Sequence, residues 1–297
     1  MLQKRSFLVS LFEKTENFLA GKEKLKTFYP IRAYRRRLTN YVLNKYKTNF
    51  VEIDDRKMFL DENDSLKLSI REYAKNFTHF AKQQISKGDI VLDLGANIGY
   101  WTLLFSQLVG DKGHVFSFEP EPHNFEILKK NVEINQYNNV TIEQKAVSNI
   151  TGKIKLFLSS VTTADHQIYD NGENRNYIEI DSIRLDDYFK NNNTAINFIK
   201  MNIQGGEAEA TKGMNDIIKK SSNLIVMSEY TPLFLKNIGM NPKDFVMLFT
   251  SKNFSIHDLN PKYENPIPIT LEETQRKYTV ENNDSTVLIF TKDCDTN

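Results

Sequence analysis

The chain has 297 residues, of which 40% are hydrophobic, 26% charged and 11% aromatic, a composition that excludes disorder and suits one large soluble domain with an extension. A lone cysteine, Cys294, excludes disulfide frameworks and cysteine zinc sites, and no apolar run approaches the ~20 residues of a membrane span. The net charge of +1 hides an asymmetry, because residues 1–50 carry 12 Lys and Arg against 3 Glu while the remainder holds 27 basic and 35 acidic residues.

The basic head, residues 1–50, reads as a helical extension ahead of a larger domain over 51–297. Leu2, Phe7, Leu8, Leu11, Phe12, Phe18 and Leu19 fall on one helical stripe. The plainest reading is a helix packed on its own domain. Peripheral contact of residues 1–28 with an anionic membrane comes next, and nucleic acid is the least favoured partner. The cluster Arg35-Arg36-Arg37 lies beyond the stripe. The apolar stretch Phe7 to Phe12 is interrupted by Ser10 and lacks a cleavage site, so a cytoplasmic protein, peripheral to a membrane at most, is expected.

Residues 51–86 suggest a short hairpin and a helix. From Lys87 the pattern is regular. Gly88 to Leu94 contains a nearly continuous apolar run, as a strand buried on both faces requires. Tyr100–Val109 reads as a helix, His114–Phe118 as a strand, Pro122–Gln136 as a helix with Phe125, Leu128, Val132 and Ile134 inward, and Val140–Gln144 as a strand. This alternation marks an α/β fold with a parallel sheet.

Lys153–Leu158 and Tyr177–Ile183 read as strands separated by a polar insertion, 159–176, near the functional face. Ile196–Met201 is a strand, Gly206–Lys220 a helix broken at Gly213, and Leu224–Met227 a strand. Pro242–Thr250 is a helix, and Phe254–His257 and Thr286–Thr291 are strands. Residues 258–284, rich in Pro, Asn and Glu, read as a long surface connection.

The segment Val91-Leu-Asp93-Leu-Gly95-Ala96-Asn97-Ile-Gly99-Tyr100 joins a strand end to a helix start, where open α/β sheets bind ligands. It fails the dinucleotide fingerprint, with Asn97 and Tyr100 where glycines would stand, and it lacks a P-loop's Gly-Lys-Ser/Thr. A second strand ends at Phe118-Glu119-Pro120, and its carboxylate can accept hydrogen bonds from both hydroxyls of a ribose. Turn, spacing and strand-end acid together point to S-adenosyl-L-methionine.

Asp93 to Thr102 and Phe118-Glu119-Pro120 resemble the first motifs of the FkbM family of methyltransferases. So do Asn131 to Asn135, Lys145-Ala146-Val147-Ser148, Asp165 to Tyr169, Leu185-Asp186-Asp187 and Phe198 to Glu207. The resemblance covers about residues 51–258. It implies a Rossmann-like class I methyltransferase fold, with a mostly parallel seven-stranded sheet, a reversed last hairpin and helices on both faces. It further implies methyl transfer to a hydroxyl of a sugar, glycan or other small molecule, leaving S-adenosyl-L-homocysteine. By that resemblance Asp93, Gly95, Asn97 and Gly99 surround the methionine part, Glu119 holds the ribose, and Lys145-Ala146-Val147 flank the adenine. A purine packs between apolar side chains, for which Ile142 and Ala146 are candidates; Ala96, Pro120 and Asn124 are further cofactor-site candidates, and Tyr100 and Trp101 suit either the cofactor wall or the core. Where the family usually carries Asp and Glu after the fourth strand, this chain has Asn202 and Gln204, which keep hydrogen-bonding capacity but lose charge. That weakens any hard-cation site, and no metal is expected.

An alcohol acceptor needs its proton removed. His166 is the first candidate base, for its titration range and its place in the polar insertion, and Glu229 is the second. Lys200 and Asn202 are candidates for orienting the acceptor, with Asn202 equally a cofactor-binding candidate for the methionine amine and Lys200 equally suited to pairing with Glu207 or Glu229. Two readings compete: a non-catalytic S-adenosylmethionine-binding protein, given Asn202 and Gln204, and an RNA methyltransferase, disfavoured because no Asn/Asp-Pro-Pro-Tyr/Phe motif follows the fourth strand.

Overall fold

The computed structural model of the protein describes residues 14–15, 29–160, 162–191 and 195–292. The apolar stripe over residues 2–19 and the anchor over 1–28 therefore lie outside the described residues, except at Lys14 and Thr15. The chain divides into two compact units, Met1–Lys75 and Asn76–Asn297. No helix among the described residues is long and apolar enough to cross a membrane.

The first unit holds α1 (Tyr29–Tyr46) and the antiparallel hairpin of β1 (Phe50–Ile53) and β2 (Arg56–Phe59). Asp54 and Asp55 connect the two strands with φ of 49° and 64°, the left-handed pair that a two-residue turn needs to match strand twist. Leu38, Leu43 and Tyr46 of α1 pack around buried Val42 and Ile70. The hairpin, grouped with residues 51–297 on sequence grounds, falls in this first unit.

In the second unit, α2 (Lys75–Gln84) leads into an eight-stranded sheet of order β12-β11-β13-β10-β9-β3-β4-β5. Its strands are β3 (Ile90–Leu94), β4 (His114–Phe118), β5 (Val140–Glu143), β9 (Phe198–Met201), β10 (Ile225–Tyr230), β11 (Phe254–Asp258), β12 (Ile267–Pro268) and β13 (Thr286–Lys292). Strands β5, β4, β3, β9 and β10 are mutually parallel, and β13 runs antiparallel between β10 and β11. The sheet is thus one strand wider than the seven expected, because Ile267 and Pro268 pair with Asp258 and His257 at its edge. Burial of every residue of β9, and of Val91 to Leu94 in β3, explains why these central strands read as nearly continuous apolar runs, broken only by the mutually paired Asp93 and Lys200.

Helices α3 (Tyr100–Val109) and α4 (Pro122–Ile134) carry the chain from β3 to β4 and on to β5. Ile127, not Phe125, joins Leu128 and Val132 on the buried face of α4. The chain steps outward from β3 to β4 and β5, then returns to β9 on the other side of β3 and continues to β10. The direction of winding therefore reverses between β3 and β9, and the carboxyl ends Leu94, Phe118, Met201 and Tyr230 line one sheet edge. Ligands of open α/β sheets bind at such a reversal.

Strands β6 (Ala146–Val147), β7 (Gly152–Phe157) and β8 (Tyr177–Ile183) form a separate three-stranded sheet. The insertion between β7 and β8 is folded as a strap: Phe157 bridges Gln167, and Leu158 N–H donates to Asn176 O at 2.7 Å. Helix α5 (Leu185–Tyr188) precedes β9. The broken helix resolves as α6 (Glu207–Lys212) and α7 (Asn215–Lys220), and α8 (Pro232–Asn237) and α9 (Pro242–Thr250) follow β10.

The long surface connection expected over 258–284 is mostly exposed, and it is ordered. Besides β12 it contains α10 (Leu271–Lys277), started by a capping box in which Thr270 and Glu273 exchange side-chain and backbone bonds. Buried Asp258 accepts from Tyr278 Oη and Thr286 Oγ1, both at 2.6 Å, and from Lys277 Nζ. These bonds fold the segment back onto the sheet.

Candidate active site

The turn after β3 is built by close backbone approach. Gly95 has φ of 78°, and a Cβ there would lie 2.1 Å from Asn202 O, so only glycine fits. Its N–H and that of buried Ala96 both donate to Phe118 O at 3.0 Å. Gly99 caps α3 at φ of 98°, a left-handed conformation that favours glycine, and a Cβ there would lie 2.8 Å from Leu128 Cδ1. The turn is thereby clamped between the ends of β4 and β9.

Beneath it lies a buried ion pair. Asp93 is fully buried, its Oδ2 accepts from Thr102 Oγ1 at 2.7 Å, and its Oδ1 lies 3.1 Å from Lys200 Nζ. Lys200 also donates to Leu94 O (3.2 Å) and Gly95 O (2.7 Å). Both groups are spent inside the protein, so Asp93 acts by holding the turn. Lys200 pairs with neither Glu207 nor Glu229, and the acceptor-orienting role expected of it is corrected.

Glu119 directly follows β4 and is only 6% exposed. Asn97 N–H donates to its Oε2 (2.8 Å) and Glu121 N–H to its Oε1 (3.0 Å), which fixes both oxygens beside the turn. Burial raises its pKa to about 7 against the pull of those two bonds. Pro120 then leads to Glu121, whose carboxylate caps α4 at Asn124 N–H (2.7 Å).

The strap reaches this same place. Asn97 Nδ2 and Asn124 Nδ2 both donate to Thr163 O, at 3.1 and 3.0 Å. Their Oδ1 atoms are buried without a hydrogen-bond partner. Arg175 staples the strap to itself through Asp165 Oδ2 (2.8 Å), Asp165 O (2.6 Å) and Glu173.

A second polar cluster follows β9. Gln204, at φ of 52°, donates from Nε2 to Asn202 Oδ1 (2.7 Å) and to Glu229 Oε2 (2.9 Å). Glu207 accepts from Ile203 N–H and Gly205 N–H, both at 2.8 Å, closing the bend that presents Gln204. Burial, reinforced by the negative charges of Glu207 and Asp165, pushes Glu229 up to about 8 despite Lys200.

Three expectations change here. His166 Nδ1 accepts from Ser159 N–H at 3.0 Å, so the neutral ring carries its proton on Nε2 and has no lone pair left to act as a base. Burial also lowers its pKa, and the ring works as a strut within the strap. Tyr100 is buried in the core, its hydroxyl 3.1 Å from Thr78 Oγ1 and its ring edge-on to Trp101, away from a ligand-lining role. Ala146 is buried with Leu156 and Ile180 of the small sheet, while Lys145 pairs with Glu143 at 2.8 Å. Gln204, Glu207 and Thr163 were not singled out as site residues. Gln204 and Glu207 stand in the matched motif, but a backbone carbonyl such as that of Thr163 leaves no mark in a sequence. Among the described residues no cluster of His, Cys, Asp or Glu could hold a metal ion.

Residues 93–256 match the family model described as the methyltransferase FkbM domain. The chain belongs to that family. The hexuronic acid methyltransferase AglP of Haloferax volcanii is 25% identical over 175 residues, which is 58% of this chain and 66% of that protein. A protein-L-isoaspartate O-methyltransferase of Ignicoccus hospitalis is 36% identical over 59 residues, 20% of this chain and 28% of its own length. The chain thus spans less than two thirds of each of these relatives. A crystal structure of a methyltransferase FkbM from Methylobacillus flagellatus is similar with a TM-score of 0.42 and 17% identity, covering 70% of this chain and 44% of that one.

Proposed function

We propose that the protein transfers a methyl group from S-adenosylmethionine to a hydroxyl of a sugar. The observation that carries the donor assignment is Glu119, a carboxylate whose two oxygens are aimed by Asn97 N–H and Glu121 N–H beside a glycine turn. A carboxylate has about four acceptor positions, so each oxygen keeps a lone pair for a ribose hydroxyl. The unpartnered Asn97 Oδ1 and Asn124 Oδ1 suit N–H or ammonium donors. Phosphate would need a cation, and Lys200 is committed to Asp93 and two carbonyls. The residues therefore fit a nucleoside carrying an amino acid. Bound there, the sulfonium supplies an electrophilic methyl group.

Glu229 takes the acceptor's proton. It replaces His166 in that role because its oxygens accept, its pKa of about 8 makes it a competent base near neutrality, and Gln204 holds it in place. Gln204 also ties Asn202 to Glu229, so the two amides that stand in place of acids serve to orient the remaining acid. This arrangement favours an enzyme over a non-catalytic binding protein.

The sugar assignment draws on family membership and on the hexuronic acid methyltransferase among the relatives. The charges next to Glu229 favour an uncharged sugar over a uronate: Glu207 and Asp165 are acids, Lys200 is consumed, and Arg175 is bound to Asp165 and Glu173. Incubation with labelled donor and a panel of saccharides, read by mass spectrometry, should yield methylated neutral hexosides. Methylation of RNA, or of uronates alone, would contradict this reading.

A further inference from the structure

Helix α1 has two faces. Leu38, Val42 and Tyr46 turn toward Ile70, and the line beside them bears Tyr34, Arg37, Tyr41 and Lys45, spaced three or four residues apart and all exposed. Tyr34 is 61% and Tyr41 54% exposed, with Tyr29 at 79% at the helix start. Five of the nine large apolar side chains exposed among the described residues lie between Tyr29 and Phe59, so this is a concentration and not ordinary scatter.

The charge on this face has one sign. No Asp or Glu occurs from Lys24 to Val51, a stretch that holds Arg32, Arg35, Arg36, Arg37, Lys45 and Lys47 among others. Lys45 Nζ sits 5.9 Å from the centre of the Tyr41 ring, which joins the aromatic and basic elements into one surface. A row of tyrosines, each with an apolar ring and a polar tip, interleaved with cations suits the headgroup layer of a bilayer. Phosphate on lipid and phosphate on RNA would both satisfy the cations. The sequence of the same basic head is also rich in apolar residues, Leu2, Phe7, Leu8, Leu11, Phe12, Phe18 and Leu19, a composition that a lipid layer rewards and a nucleic acid does not.

We propose that the Tyr34–Arg37–Tyr41–Lys45 face of α1 docks the protein peripherally on an anionic lipid surface. The docking is independent of methyl transfer and is tested without it. The full chain is sedimented with phosphatidylcholine vesicles, with and without phosphatidylglycerol. Binding should require the anionic lipid and weaken with added salt. Arg37→Gln with Lys45→Gln should lower the partition coefficient about 30-fold at low ionic strength, the weight of two basic residues at an anionic surface. Tyr34→Ser with Tyr41→Ser should lower it with every charge retained, and both pairs should leave the thermal melt unchanged because the positions are exposed. Equal binding to neutral vesicles, no loss in either double variant, or tighter binding to single-stranded RNA than to the anionic vesicles would overturn the proposal.

Discussion

Replacing Glu229 by Gln isolates the base. The substitution keeps the side-chain volume and the acceptor for Gln204 Nε2, now 2.9 Å from Oε2, so the bend at Gln204 and donor binding should survive within a few-fold. What disappears is the proton-accepting oxygen, and loss of a positioned base lowers kcat by about 10²–10⁴-fold. The wild-type pH profile supplies the internal check. With a pKa of about 8, roughly a tenth of Glu229 is ionised at pH 7 and roughly nine-tenths at pH 9, so kcat/KM for the acceptor should climb about tenfold over that interval. In Glu229→Gln the residual rate should lose this rise. Initial rates from pH 6 to 9, with donor affinity measured in parallel by calorimetry, read both effects. A variant that retains wild-type kcat, or a profile that rises through pH 6 and is flat above, would refute the assignment.

Three further outcomes follow from the geometry. Gly95→Ala places a Cβ 2.1 Å from Asn202 O in a left-handed backbone, and since this nearest atom is backbone and cannot swing aside the variant should lose about 3 kcal/mol or more, seen as a large drop in Tm. Lys200→Met leaves Asp93 buried beside only Thr102, and stripping one partner from a buried pair costs about 3–5 kcal/mol, measurable by urea denaturation. Glu119, raised to about 7, favours the fold in its protonated form. Its contribution is therefore full below about pH 4.5 and is lost as pH rises through 7, so stability should fall between pH 5 and 8, and less so in Glu119→Gln, with denaturation midpoints across that range as the readout.

The central sheet was legible because burial leaves one signal, a short and mostly apolar run: β3, β4 and β9 stand within Gly88–Leu94, His114–Phe118 and Ile196–Met201, where they were predicted. Helix α3 matched for a similar reason, bounded by Gly99 and Gly110. The order within the surface connection 258–284 was not legible because it comes from one buried carboxylate, Asp258, gathering Lys277, Tyr278 and Thr286 from distant positions. Only the Thr270–Glu273 capping pattern was visible locally. At the site, Gly95, Gly99 and Glu119 could be placed because backbone approach and strand-end position depend on local chemistry. The fates of His166 and Lys200 could not, because hydrogen bonds to Ser159 N–H and to the carbonyls of Leu94 and Gly95 depend on how loops meet in space. Gln204 carried a local clue in its departure from the family's usual acid, yet its bond to Glu229 spans 25 positions.

Isothermal titration of the chain with S-adenosylhomocysteine, beside the Glu119→Gln variant, tests the donor site most directly. Saturable one-to-one binding that weakens by about 10–100-fold in the variant, the loss of charge-assisted bonds to a ribose, is the predicted result. Absence of heat with the wild-type chain, or equal affinity in the two proteins, would contradict it.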